Sequence, residues 1–418
     1  MEESYSRTDL PCGVTVLTES MPGLRSASVG IWARSGSVYE SAEEMGVSHL
    51  LEHMVFKGTR RRSARELALA LERVGGSLDA YTTREHTGFQ AKVRGEDLPL
   101  ALDVLADLVL NPLLRPEDLE LEREVVLEEI STVEDTPDDL VFDLHAQALW
   151  GDHPYGYSIL GTRETVSRLT VDDLARVHSR AYRGAELVLA VAGEVEHDRV
   201  VELVQSLFPD GQRVQEPKEA PPVDAGVVTG GTVHVERAAA QTHLVFGART
   251  FGHRDPRRYA MILLTNAFGG GMSSRLFQRV REELGLAYSV YSFQSFYRDA
   301  GVCGVYVGTR PEWAARAEEV IRAEMRRLAS EGLTADELED VRGQVKGQLV
   351  LSLESSGARL HRLAGLALYR EPFLRLDDLT ARIDAITLDD LNALAAEYFD
   401  PDRQLLLRLG PEARVSGL

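Results

Sequence analysis

Cysteine is nearly missing from this chain: Cys12 and Cys303 are the only two in 418 residues. So few thiols build neither a disulfide framework nor a thiolate metal cluster. Long apolar runs are missing too. None approaches the ~20 residues a bilayer-spanning helix needs, so no membrane partner is expected. The opening "MEESYSRTDLPCGVTVL" is acidic and lacks the basic and apolar regions of a secretion signal, which points to the cytoplasm. Basic charge is in deficit, with 46 Lys and Arg against 66 Asp and Glu, a net charge of −20 and a pI near 5.1. That excludes a nucleic-acid partner, whose phosphates need a basic footprint. The acids are spread along the chain, which favours solubility and, should they line a cavity, basic ligands.

What is present describes an ordinary globular chain, 44% hydrophobic and 27% charged. Its length exceeds a single core, so two domains are expected. "PDGQRVQEPKEAPPVDAGVVTGG", residues 209 to 231, is dense in Pro, Gly and charge and reads as a linker. The expected division is a domain at 1–210, a linker at 211–231 and a second domain at 232–418. The halves repeat each other. "SVGIWARSGSVYES" at 28–41 matches "HLVFGARTFGHRDP" at 243–256, and "AYTTREHTGF" at 80–89 is echoed by "AYSVYSFQSF" at 287–296. "LRPEDLELEREVVLEEI" at 114–130 matches "LTADELEDVRGQVKGQL" at 333–349. Strands followed by long helices, twice over, predict an α+β fold of two homologous domains, each a mixed or antiparallel sheet flanked by helices.

"HLLEHMVFKGT", residues 49 to 59, sets two histidines and a glutamate within five residues. Leu50, Leu51, Met54, Val55 and Phe56 give a helix its apolar face, and Lys57-Gly58 reads as its stop. Residues four apart share a helix face, so His49 and His53 point together, about 6 Å apart at Cβ, with Glu52 bordering them. The motif by itself fits either an amphipathic helix or a metal site. A catalytic zinc takes three protein ligands, so a third must come from elsewhere. The "EREVVLEEI" helix offers Glu122 and Glu129, two turns apart on one face, with Glu128 about 100° away. The repeat serves as a control: Glu122 aligns with Val341, Glu129 with Gln348, and "RYAMILLTNAFGG" replaces the histidine motif. The fold does not require these groups, so function is the better reason for them.

His-x-x-Glu-His followed by Glu129, with 75 residues between His53 and that Glu, resembles the inverzincin signature of the pitrilysin, or M16, metallopeptidases. The resemblance runs through "DAYTTREHTGF", "EREVVLEEI", "HPYGYSILGT" and "GGGMSSRLFQRVREELGLAYSVYS". It is nearest the short branch containing the β-subunit of mitochondrial processing peptidase and its bacterial relatives. The resemblance implies one zinc per chain held by His49, His53 and Glu129, with Glu52 as general base. It implies that Glu122 orients a ligand histidine from behind. Such a carboxylate fixes the imidazole tautomer and raises its basicity.

The same resemblance implies that Arg281 and Tyr288 in "REELGLAY" contact substrate and the developing oxyanion, both being donors. It implies that the strand bearing Ala80 and Tyr81 pairs with an extended peptide, and that Asp139 and Asp143 hold a basic side chain. The expected substrates are peptides or unfolded segments, cleaved in a chamber closed by a dimer. The partner is another copy or a paralogue lacking the metal motif; this chain carries both residue sets, so homodimerisation is self-sufficient. "GGGMSS" at 269–274 lacks the Lys of a phosphate loop and reads as a flexible substrate-contacting segment. Two other classes of function share the pattern: a non-catalytic core subunit of a larger assembly, and a peptide-binding module. Assembly subunits of this kind typically lose the metal residues, which this chain keeps.

Overall fold

The apolar run "LVLAVAG" at 187–193 shows how the sequence builds its sheets. A strand this uniformly apolar needs cover on both faces, and in the structure every residue of it is buried. The structure, a computed structural model, describes residues 4–208, 219–223 and 230–411, so most of the linker expected at 211–231 lies outside the described residues. The strands are β1 Ser4–Asp9, β2 Thr15–Ser20, β3 Ser26–Ala33, β4 Ser77–Thr82, β5 Thr87–Arg94, β6 Leu187–Gly193, β7 Gly231–Glu236, β8 Thr242–Thr250, β9 Ala287–Phe296, β10 Gly301–Thr309 and β11 Leu405–Gly410. The helices begin with α1 Val47–Val55, α2 Ala64–Glu72, α3 Leu98–Leu110, α4 Pro116–Glu134, α5 Pro137–Trp150, α6 Arg163–Val166, α7 Val171–Ala181 and α8 His197–Leu207. They continue with α9 Arg258–Gly269, α10 Ala314–Glu331, α11 Ala335–Ser352, α12 Ser356–Leu368, α13 Leu376–Asp384 and α14 Leu388–Tyr398.

Two compact units result. The first comprises 1–131, 157–221 and 351–373; the second comprises 132–156, 222–350 and 374–418. The first holds a six-stranded sheet in the order β1-β2-β6-β3-β5-β4, and the second a five-stranded sheet in the order β7-β11-β8-β10-β9. Without β1 the two orders coincide, and so do the directions. The β2–β6 and β7–β11 pairs are parallel, and all the others antiparallel. Both units are therefore α+β with mixed sheets. The helices α4 and α11 also start 219 residues apart, the offset at which their sequences align.

The echo between 80–89 and 287–296 holds only at its first residues. Residues 83–86 form a turn, with the Thr83 hydroxyl accepting from the His86 N–H at 3.1 Å, whereas 287–296 run straight on as β9. Apolar alternation does not distinguish a hairpin from one long strand.

One face of the first sheet packs on a core that includes α1, α3 and α7. Its other face is covered by α12, through Leu360, Leu363 and Ala364 against Leu17, Trp32 and Val188. Arg359 pairs with buried Glu19 of β2, and Ser356 bonds Ser28 at 2.9 Å. In the second unit α5 plays that part, with Val141 against Val245, Leu407 and Leu409. The His145 ring lies where a side chain at 247 would begin, 2.2 Å from the Cβ site, so only glycine fits there. One edge of the first sheet is β4, which among the described residues pairs with β5 alone. Among the described residues no helix is long and apolar enough to cross a membrane.

Candidate metal centre

Helix α1 buries Leu50, Leu51, Met54 and Val55 completely in the core of the first unit, so His49, Glu52 and His53 fall on its opposite, partly open side. The rings of His49 and His53 meet edge to face with centroids 4.7 Å apart. Helix α4 brings the acids. Its buried stripe is Leu119, Glu122, Val126 and Ile130, so Glu122 sits at a position its spacing marks as apolar. In α11 the same position is the buried Val341.

The carboxylate of Glu122 is satisfied on both oxygens. His53 Nδ1–H donates to Oε2 at 3.1 Å, and the Lys57 ammonium pairs with Oε1. That bond leaves the Nε2 lone pair of His53 free to face outward. Glu129 lies one helical repeat further on, its side chain 41% exposed, with Oε2 3.6 Å from both His49 Nε2 and His53 Nε2. At 3.6 Å these are not hydrogen bonds. Three donor atoms thus converge within 4.8 Å of one another without bonding each other, and two of them are imidazole nitrogens. Burial and the neighbouring His53 hold the His49 imidazole neutral, its pKa lowered to about 3. Two imidazoles and a carboxylate fit a borderline cation such as zinc in number and type.

Glu52 faces the same space from α1. Burial pushes its pKa upward, opposed by the Thr82 hydroxyl, which donates to Oε2 at 2.6 Å. Thr82 ends β4, an edge strand of the sheet, so one hydrogen bond ties this acid to that edge. Sequence reasoning missed Thr82 and Lys57. Each is a single polar residue whose partner is 30 or 65 positions away, and no local spacing announces it.

Ala80 packs inward from β4 against the core. The Tyr81 hydroxyl accepts from Trp32 Nε1 at 2.9 Å and lies 3.4 Å from His361 Nδ1 of α12. Tyr81 is thereby anchored through its side chain, and what it offers at the edge is main chain. The other site candidates lie in the second unit. Arg281 belongs to a π-helical turn, Phe277–Glu283, a form that often marks functional positions. Its guanidinium stacks 4.4 Å over the Tyr288 ring, and Tyr288 is 76% exposed at the start of β9. Asp139 is exposed on α5, and its charge reaches Tyr291 and Tyr306; Asp143 follows one turn later.

The chain is similar to known proteins along most of its length. Residues 15–163 match the model described as insulinase, peptidase family M16, and residues 168–345 match that of the peptidase M16 inactive domain. An uncharacterized zinc protease of Streptomyces coelicolor is 42% identical over 410 residues, 97% of this chain and 89% of that protein. The uncharacterized zinc protease YmxG of Bacillus subtilis is 38% identical over 403 residues, covering 94% and 96%. A protease from Helicobacter pylori shares the fold, with a TM-score of 0.91 at 22% identity over 98% of this chain and 100% of that one. With two family models spanning most of its length and full-length relatives at this identity, the chain belongs to peptidase family M16.

Proposed function

We propose that this chain is a zinc-dependent endopeptidase or oligopeptidase acting on extended peptides and unfolded segments. The observation that carries the reading is the convergence of His49 Nε2, His53 Nε2 and a Glu129 carboxylate oxygen beside the partly buried acid Glu52. Bound there, zinc would supply Lewis acidity and a water of lowered pKa. The name zinc protease, carried by relatives sharing 38–42% of residues, supports the same metal.

The protein's own groups supply the rest. Glu52 accepts the proton of the attacking water on Oε1, the oxygen Thr82 does not hold, and returns it to the leaving amine. Its elevated proton affinity suits both halves of that transfer. Glu122 keeps His53 in the tautomer that presents Nε2. The free side of β4 at Ala80 and Tyr81 can take a peptide as an added strand, binding by main chain with little demand on sequence. Arg281 and Tyr288 donate to the substrate carbonyl as charge builds on it, and Asp139 and Asp143 receive a basic side chain. Two such chains form a closed dimer in the cytoplasm, each metal set served by the Arg281–Tyr288 pair of the other copy.

The test is hydrolysis of a mixed set of quenched peptides by the zinc-loaded protein, with and without chelator. Chelator-sensitive cleavage supports the reading; a zinc-loaded, folded dimer that cleaves none of them refutes it.

A further inference from the structure

Glu40 is a buried acid that the proposed chemistry does not use. It lies between the short turn Ser37–Tyr39 and α1, and its carboxylate spans the start of that helix. Oε2 accepts from the Gly46 N–H at 2.8 Å and Oε1 from the Ser48 N–H at 2.9 Å. Three other buried acids meet a cation: Glu19 has Arg359, Asp107 has Arg62 and Glu122 has Lys57. Glu40 contacts no Lys or Arg among the described residues, and its hydrogen bonds come from the Gly46 and Ser48 N–H groups and the Ser48 side chain. Burial without a counter-ion raises its pKa to about 7. An acid kept at such cost needs a reason.

The start of α1 supplies one. Its N-cap is Gly46, at φ +90 and with no side chain to cap the first turn. A larger residue cannot take the place, since a Cβ would lie 2.5 Å from the Leu160 carbonyl oxygen. The helix has nine residues, too short to stand without external support. Its third residue is His49, whose Nδ1 is buried without a hydrogen-bond partner among the described residues. His53 is oriented by Glu122, but His49 depends on the helix backbone for its aim. The repeat again provides the comparison. Asp255, aligned with Glu40, turns to the N–H and guanidinium of Arg257, and its helix carries no metal group.

We propose that Glu40 is a positioning residue of the metal site, its carboxylate clamping the first turn of α1 so that His49 is held toward His53 and Glu129. This rests on the reading that those three residues bind zinc. Removing the acceptor leaves two buried N–H groups unpaired and lets the first turn relax, while His53 and Glu52, a turn further in, keep their own partners.

The experiment compares metal-free wild type, Glu40→Gln, Glu40→Asp and Asp255→Asn. Zinc is titrated against a competing chelator at a temperature where circular dichroism shows each protein folded. Glu40→Gln keeps the volume but can accept from only one N–H, and its zinc affinity is expected to fall about 10- to 100-fold. In peptide hydrolysis at saturating zinc, kcat should fall while KM stays. Glu40→Asp, charged but a methylene shorter, is expected between wild type and Glu40→Gln. Asp255→Asn should bind zinc as wild type does. Wild-type zinc affinity in Glu40→Gln overturns the proposal, whatever its melting temperature. If Glu40→Gln does not fold, wild-type affinity in Glu40→Asp overturns it equally. A wild type that takes up no zinc is a different outcome and overturns the metal reading itself.

Discussion

Glu122→Val would convert one position of the first unit into its counterpart in the second, where Val341 is buried in α11. Glu122 is 8% exposed and shares its helix stripe with Leu119, Val126 and Ile130, so a valine finds apolar neighbours. The lost carboxylate has two partners. Lys57, one third exposed, can turn to water, at a cost within about 1 kcal/mol. Removing one partner of a buried pair costs ~3–5 kcal/mol when the other charge stays buried, and the access of Lys57 to water avoids that penalty. The metal-free protein should therefore unfold in urea within about 1 kcal/mol of wild type. Zinc binding should behave differently. His53 loses the acceptor that fixes Nδ1–H, and such losses lower metal affinity ~10–100-fold, or about 1.4–2.8 kcal/mol. That whole loss should appear in chelator competition and in a smaller zinc-induced rise in melting temperature. Unchanged zinc affinity would refute the orienting role of Glu122. A metal-free variant destabilised by more than about 3 kcal/mol would show instead that the acid serves the fold.

Glu52→Gln should retain zinc and fold while losing roughly 10²–10⁴-fold in hydrolysis; turnover within a few-fold of wild type would remove Glu52 as the base. Mixing Glu52→Gln chains with Arg281→Ala chains, each inactive alone, should restore activity in verified mixed dimers; no recovery would show that Arg281 serves its own chain. His145 predicts an acid-side loss of stability. Its folded pKa is near 4, lowered by burial, against about 6.5 unfolded. The unfolded state therefore binds the proton first, and stability falls from pH 6.5 toward 4. The loss is about 2 kcal/mol between pH 7 and 5. Urea unfolding should show that slope shallower in His145→Asn, and an identical slope would contradict the assignment.

The helix-bearing parts of this fold were readable because apolar spacing is local. The 219-residue offset of α4 and α11, and the contrast of Glu122 with Val341, follow from sequence pattern alone and reappear as the helix starts and as buried residues of the two helices. Helix geometry likewise puts His49 and His53 on one face and offers Glu122 and Glu129 as a pair two turns apart, while the choice of Glu129 as third donor follows from the family resemblance. What escaped depends on pairing across the chain. The sheet covered by α5 or α12 is not written in the amphipathic pattern of either helix. Thr82 on Glu52 and Lys57 on Glu122 are single contacts between distant segments. The π-helical turn under Arg281 has no composition signal, and the turn at 83–86 is defined by the pairing of β4 with β5.

The central claim is that one zinc is held by His49, His53 and Glu129. An anomalous-difference map at the zinc edge, from crystals of the zinc-loaded protein, tests it most directly. The account predicts one peak per chain among His49 Nε2, His53 Nε2 and the Glu129 carboxylate, lost in Glu129→Gln. A peak bound through Glu128 or Glu122 in place of Glu129, or no peak at this site, would contradict it.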